Sequence, residues 1–198
     1  MNPQELGTKY DKIAAWWQQQ MQASSYGLPQ LERAISYCNK REKALDVGCG
    51  SGGRLINRLL KAGFEVTGMD VSEKMLVLAR QQHPEVSFQQ ADICEWQNDQ
   101  SYDLILAWDS IFHVPLERQA KVVGRLCGML SPGGILLYTF GDSQGDHLSR
   151  WHEDDFYYSS IGISENLRVI MRSGCECRHL ELDQYPQKHV SVIVRKEA

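Results

Sequence analysis

The sequence predicts an α/β fold: a mostly parallel sheet covered by helices on both faces. Three observations predict it. From Ala44 onward, short apolar runs alternate with amphipathic segments, the pattern of strands buried between two helical layers. The run Tyr102 to Trp108 is almost continuously apolar, as a central strand requires. The stretch Ala44 to Gly53 reads as a buried strand that breaks into a glycine loop and opens a helix.

Each element follows from local pattern. Glu5 to Met21 spaces Leu6, Tyr10, Ile13, Ala14 and Trp17 as one aromatic-rich helical face. Ser24 to Pro29 is a turn-rich break, and Leu31 to Asn39 is a second amphipathic helix. These residues, 1–42, are expected to form an N-terminal helical cap on a core of residues 43–198, a single domain overall. In the core, Ala44 to Gly48 is the first strand. The helix Gly52 to Ala62 buries Leu55, Ile56, Leu59 and Leu60, and Gly63 is placed for a left-handed cap. Glu65 to Asp70 is the second strand; Ser72 caps a helix that Pro84 stops, and Val86 to Ala91 is the third strand.

After the central strand, Pro115 suits the first turn of a helix carrying Leu116, Ala120, Val123, Cys127 and Leu130. Ser131-Pro132-Gly133-Gly134 reads as a turn into a strand from Ile135 to Phe140. The alternation then pauses. Asp142 to Ile163, polar and aromatic together, reads as a long irregular insertion and hence a functional lid. Ser164 to Arg172 returns as a helix, and Cys175 to Leu182 with His189 to Lys196 make an antiparallel hairpin.

Composition narrows the function classes. The 198 residues suffice for one well-buried domain and not for a full second one. With 21 basic against 25 acidic residues, a net charge of −4 and no run of five like charges, nucleic acid is not an expected partner. The six cysteines form no CxxC pair and lie at no zinc spacing, so no metal site is expected and the thiols read as reduced and intracellular. Met1 to Tyr10 has no apolar signal core and the apolar runs are strand-length, which points to a cytoplasmic protein without a membrane span. A monomer or homodimer is expected.

The glycine loop admits two ligands. Gly48, Gly50 and Gly53 fit the dinucleotide pattern GxGxxG, whereas Asp46, Gly48, Gly50 and Gly52 fit acid-x-G-x-G-x-G. Either pattern uses an acid at the end of the second strand for ribose hydroxyls, and Asp70 stands there. Three features decide between them. Asp46 puts negative charge where a pyrophosphate gains nothing and an ammonium gains a partner. Asp92, beside Ile93, is placed to accept from an adenine amino group, and the chain ends in a hairpin instead of a substrate domain. Together they point to S-adenosyl-L-methionine.

On these residues the sequence resembles the class I S-adenosylmethionine-dependent methyltransferases of small-molecule type. The resemblance rests on Leu45 to Gly53, on Gly68 to Ser72 with Met75 and Leu76, on Ala91-Asp92-Ile93, on Tyr102 to Ile105, and on Leu130 to Gly134. It implies a Rossmann-like seven-stranded sheet of order 3-2-1-4-5-7-6 with the seventh strand antiparallel. It also implies that Asp46, with the backbone at Gly48, Cys49 and Gly50, holds the methionine end of the cofactor. Asp70 would grip the ribose, with Val71 and Met75 beside it, and Asp92 and Ile93 would frame the adenine. Ala107 and Trp108 would line the methionine side, and Tyr10 or Tyr26 would close over it. The implied reaction is methyl transfer to a small-molecule acceptor, leaving S-adenosyl-L-homocysteine.

Candidate proton acceptors are His113 and Asp109, in the loop after the central strand. His113 is singled out because imidazole titrates near neutral pH, though it serves equally to orient the helix that follows. That loop lacks the [DN]PP[YF] signature of exocyclic-amine methylation. Cys94 and Cys127 read as packing thiols, and Trp96 as either a base-stacking or a packing residue. Trp151, His152, Tyr157 and Tyr158 read as a substrate lid or as a cover on the following helix; Glu181, Tyr185 and His189 flank the hairpin with no role assigned. Two rival functions remain: a non-catalytic module binding S-adenosylmethionine or S-adenosylhomocysteine, and an NAD-binding oxidoreductase.

Overall fold

In the computed structural model, which describes residues 2–197, the chain begins with α1 (Pro3–Met21) and α2 (Leu28–Tyr37). The side-chain oxygen of Asn2 accepts the Gln4 N–H at 3.0 Å and so caps the first turn of α1. In α2, Pro29 occupies the first turn, where its missing N–H costs no hydrogen bond, so the helix starts ahead of the expected Leu31.

The core then alternates: β1 (Lys43–Val47), α3 (Arg54–Lys61), β2 (Glu65–Asp70), α4 (Glu73–Gln82), β3 (Ser87–Gln90), β4 (Tyr102–Ala107), α5 (Leu116–Gly128) and β5 (Leu130–Gly141). A hairpin of β6 (Gln144–Trp151) and β7 (Asp154–Ile161) follows, then α6 (Gly162–Arg172), β8 (Cys175–Glu181) and β9 (His189–Lys196). The seven-stranded sheet has the order β3-β2-β1-β4-β5-β9-β8, and β9 runs antiparallel to β5, as the sequence led us to expect.

Period-two alternation splits the core between the two faces of the sheet. Leu45, Val47, Ile105 and Ala107 pack with Val122 and Leu126 of α5 and Ile170 of α6. Ala44, Leu104 and Leu106 pack with Leu31 and Ile35 of α2 and Ile56 and Leu59 of α3. Every residue of β4 is buried, Asp103 included, which is why its sequence is an almost continuous apolar run. The two N-terminal helices divide in their packing: α2 lies on β5 and α3, while α1 lies against α4 and β7.

Two expectations are corrected. Residues Asp142 to Ile163 are not irregular; β6 and β7 pair in register from Gln144↔Ile161 to Trp151↔Asp154. The polar sequence of β6 hid this, because β6 is exposed almost throughout and only β7 buries side chains, Phe156 and Ser159 to Ile161. Likewise Ser131 to Gly134 is not a turn ahead of a separate strand. It forms an irregularity within β5, where pairing jumps from Tyr102↔Leu130 to Leu104↔Ile135.

Candidate active site

The site forms where β1, β2 and β4 end at one edge of the sheet, the usual ligand position for an open α/β fold. Gly48 leaves β1 with φ +73°, and a Cβ on it would stand 2.4 Å from the Ser110 Cβ. Only glycine permits both that backbone and that approach. The next amides are spent locally: Gly48 and Cys49 N–H donate to the Met69 carbonyl at 2.8 and 3.0 Å, and Gly50 N–H donates to Asp70 Oδ2 at 2.8 Å.

Asp70 also accepts the Ser72 N–H at 2.9 Å. Burial raises its pKa, and the hydrogen bonds from Ser72 and Gly50 only partly oppose this. Ser72 caps α4 by accepting the Met75 N–H at 3.1 Å, and its hydroxyl donates to Asp11 of α1 at 2.6 Å. That bond ties α1 across the site.

A cavity of about 360 Å³ opens beside this loop. It is lined by Gly48, Cys49, Gly50, Asp70, Val71, Met75, Asp92, Ile93, Trp108, Asp109, His113 and Tyr10, so the structure brings nearly all the sequence candidates together. Tyr26 lines it as well. Two candidates stand apart. Ala107 is fully buried in the core beneath Trp108, and Asp46 lines a small adjoining recess with Trp17, Met21, Arg54 and Trp108. Trp96 lies outside the cavity, its indole N–H donating to Gln89, so it is a packing residue.

Asp46 is only 3% exposed and shares the sheet face of Ala44. Burial and the Asp70 carboxylate push its pKa up to about 7, and no donor bonds it among the described residues. The nearest guanidinium, Arg54, is engaged elsewhere: its Nε donates to the Tyr26 carbonyl and it stacks over the Tyr26 ring. Three buried donors also lack protein partners among the described residues, Trp108 Nε1, Ser110 Oγ and Ser191 Oγ, and the first two belong to residues that line the cavity. The sequence reading missed Trp17, Met21, Arg54 and Ser110; Arg54 had a signal, as the first residue of the helix after the glycine loop.

His113 requires a correction. Its Nδ1 faces the Tyr157 carbonyl at 2.7 Å, so that nitrogen carries the proton, and Nε2 accepts the Tyr10 hydroxyl at 2.8 Å. Burial lowers its pKa to about 4. With both nitrogens occupied and the ring held neutral, His113 orients Tyr10 and is no free base.

Asp109 is placed differently. Its backbone is left-handed, φ +53°, an uncommon conformation for a non-glycine residue that is enriched at functional sites. Its N–H donates to Thr139 Oγ1 at 2.8 Å, and its Oδ1 meets His189 Nε2 at 2.9 Å.

A second cavity, about 650 Å³, lies between the β6–β7 hairpin and the segment joining β8 to β9. Asp109, Phe112, Tyr158 and Tyr26 line both cavities and form their junction. The aromatic residues of the hairpin therefore cover α1 and the cavities and not the following helix: Trp151 packs on Trp16 and Trp17, with ring centroids at 5.6 and 5.9 Å. Of the residues flanking the terminal hairpin, His189 reaches the site, whereas Tyr185 is exposed and Glu181 pairs with Arg33.

Comparison with known proteins agrees with this geometry. A family model described as a methyltransferase domain matches residues 44–134. A Geobacillus sp. (strain WCH70) protein named as a methyltransferase is 30% identical over 176 residues, covering 84% of this chain and 68% of its own. A trans-aconitate 2-methyltransferase of Variovorax paradoxus (strain S110) is 37% identical over 137 residues, 65% of this chain and 51% of that protein. The chain thus spans about two thirds of the first relative and half of the second. Among solved structures, the Burkholderia thailandensis 1,6-didemethyltoxoflavin-N1-methyltransferase, with its methyl acceptor and S-adenosylhomocysteine bound, superposes with a TM-score of 0.76 at 17% identity, covering 100% of this chain and 92% of that one. At that identity the likeness speaks for the fold. By sequence relationship, fold and motif order, the chain belongs to the class I S-adenosylmethionine-dependent methyltransferases.

Proposed function

We propose that this chain transfers a methyl group from S-adenosyl-L-methionine to a small molecule, with the 360 Å³ cavity holding the donor and the 650 Å³ cavity the acceptor. The observation that carries the reading is a set of unmet needs. Asp46 is a buried carboxylate without a cationic partner, which suits an ammonium, and the orphaned Trp108 Nε1 and Ser110 Oγ suit a carboxylate. A zwitterionic amino-acid group satisfies both.

Asp70 is fixed by Gly50 and Ser72 at the end of β2 and keeps further lone pairs for ribose hydroxyls. The Asp92 side chain caps its own turn through the Cys94 N–H at 2.8 Å and, with Ile93, faces the cavity as the adenine end. Tyr10, held by His113, closes the site from α1 together with Trp17. When bound, the cofactor supplies an electrophilic methyl group on a sulfonium, whose sulfur keeps the bonding pair and leaves as a neutral thioether. The protein's own task is then alignment of an acceptor atom, exclusion of water and receipt of a proton. In this reading Asp109 receives the proton, a role supported by its position at the junction of the two cavities.

Residues 1–42 act as a cap chiefly through α1, and we place the protein in the cytoplasm, as a monomer or homodimer, with neither nucleic acid nor membrane as partner. Among the described residues, no helix is long and apolar enough to cross a membrane.

Release of S-adenosylhomocysteine over a panel of acceptors tests the proposal. Turnover is expected, and Asp70→Ala is expected to raise the KM for S-adenosylmethionine by ~10-fold or more, as loss of a partly buried charged hydrogen-bond acceptor implies. Tight cofactor binding without turnover on any acceptor would favour a non-catalytic binding module.

A further inference from the structure

Asp109 does not stand alone at the junction of the two cavities. His189, the first residue of β9, points Nε2 at Asp109 Oδ1, 2.9 Å away, and Nδ1 at Asp183 Oδ1, 2.5 Å away. Ionised carboxylates bring no protons to these contacts, so with both acids ionised each ring nitrogen donates to one of them, the arrangement that suits an imidazolium. Burial works against that charge, yet the hydrogen bonds from Asp109 and Asp183 outweigh it and raise the His189 pKa. Tyr26 and Trp108 flank the ring, with centroids at 6.4 and 5.8 Å, and the Arg54 guanidinium, over the Tyr26 ring, acts on Asp109 as well.

The clamp fixes one oxygen and spares the other. Oδ1 of Asp109 takes both His189 and the Thr139 hydroxyl, at 3.2 Å, and the Tyr26 hydroxyl stands close to the same carboxylate, so a ligand approaching Oδ2 does so beside that phenol. The strained backbone of Asp109 and its amide bond to Thr139 hold the carboxylate in that pose.

The charge around the outer cavity bears on what enters it. Asp109, Asp142 and Asp146 line it, whereas its basic groups are Lys188, His147 and the already paired His189, and no arginine lines it among the described residues. Carboxylate recognition favours the bidentate guanidinium, and a polyanion here would meet net negative charge. A carboxylate acceptor would also bring no proton to remove. The inner end is instead walled by Phe112, Phe140 and Tyr158, a surface for a flat or cationic molecule.

We propose that Asp183 and His189 are positioning residues that hold Asp109 as proton acceptor for a protic substrate, an amine or hydroxyl on a neutral or cationic small molecule, and that carboxylates are not methylated here. This rests on the methyl-transfer reading above. As the acceptor's lone pair takes the methyl group, its N–H or O–H bond breaks and the proton passes to Asp109 Oδ2; the sulfonium charge is lost as sulfur keeps the C–S pair.

Histidine-selective ¹⁵N NMR on the whole protein tests the clamp without any substrate. His189 is expected to keep both nitrogens protonated at about pH 7.5, where a free imidazole is mostly neutral, and Asp183→Asn to lower its titration by about one unit, tenfold in proton affinity. A singly protonated His189 at that pH in the wild type would overturn the proposal. The acceptor class is read from S-adenosylhomocysteine release with benzylamine, phenol, benzoate and trans-aconitate, in the wild type and in His189→Gln. Turnover is expected with the amine or the phenol, falling ~100-fold in His189→Gln with its pH profile displaced, while the affinity for S-adenosylmethionine stays within about twofold. Transfer to benzoate or trans-aconitate at a rate His189→Gln leaves unchanged would refute this inference alone, whereas a wild type that binds no S-adenosylmethionine would refute the donor site beneath it.

Discussion

An Asp46→Asn variant is expected to be more stable than the wild type at neutral pH and yet to bind S-adenosylmethionine at least ~30-fold more weakly. Two features of Asp46 oppose each other. In the free protein its carboxyl is buried at the end of β1, and its pKa is raised from 3.8 to about 7. A group that holds its proton more tightly when folded favours folding at low pH and loses that advantage as pH rises from about 4 to about 7. Each unit of such a shift corresponds to ~1.4 kcal/mol, so about 2–4 kcal/mol is lost across the window. Asparagine cannot ionise and escapes the loss. In the complex the same carboxylate meets an ammonium, and removing one partner of a buried ion pair costs about 2–5 kcal/mol. Urea denaturation at several pH values, with calorimetry of cofactor binding, measures both effects. A variant that is less stable at pH 8 and binds undiminished would show Asp46 to be structural.

Phe156→Ala is expected to destabilise the protein by about 3–5 kcal/mol, as deletion of a fully buried aromatic side chain does. The ring is inaccessible on β7, with the Tyr10 and Trp151 centroids at 5.2 and 5.3 Å. It anchors the hairpin to α1 together with Trp151, which packs on Trp16 and Trp17. The Lys12–Asp154 pair at 2.9 Å adds less: it is exposed on its lysine side and contributes at most ~1 kcal/mol. Because the ring packs on Tyr10, which lines the proposed donor cavity, cofactor affinity is expected to fall with stability, even where the variant remains folded. Phe156→Leu, which retains most of the volume, is expected to lose about a third as much in equilibrium unfolding. A fold unaffected by the alanine variant would mean that the hairpin is not anchored through this ring.

The residues of the proposed donor side could be brought together from the sequence for a simple reason. Parallel strands present their C-terminal ends at one edge, so Asp46, Asp70, Asp92 and Asp109 converge once the strand ends are identified. Each of those ends is marked locally, by glycine, by an acid after an apolar run, or by a helix cap. The acceptor side has no such marks. Asp109 and His189 are 80 residues apart and meet because β9 lies antiparallel beside β5, with Gly141 opposite His189. That register brings the start of β9 to the end of β4, and nothing near His189 announces it. The β6–β7 hairpin was hidden because one of its strands buries almost nothing, so its periodicity carries no core signal. His113 drew notice because imidazole titrates near neutrality, whereas its burial against Tyr10 and Tyr157, which holds it neutral, is a property of the fold alone.

The central claim is that the acid-ringed cavity at the ends of β1 and β2 is a methyl-donor site. Calorimetric titration of the wild-type protein with S-adenosylmethionine, and in parallel with NAD, tests it most directly. One-to-one binding of S-adenosylmethionine with no heat from NAD is the expected result; binding of NAD, or of neither, would contradict it.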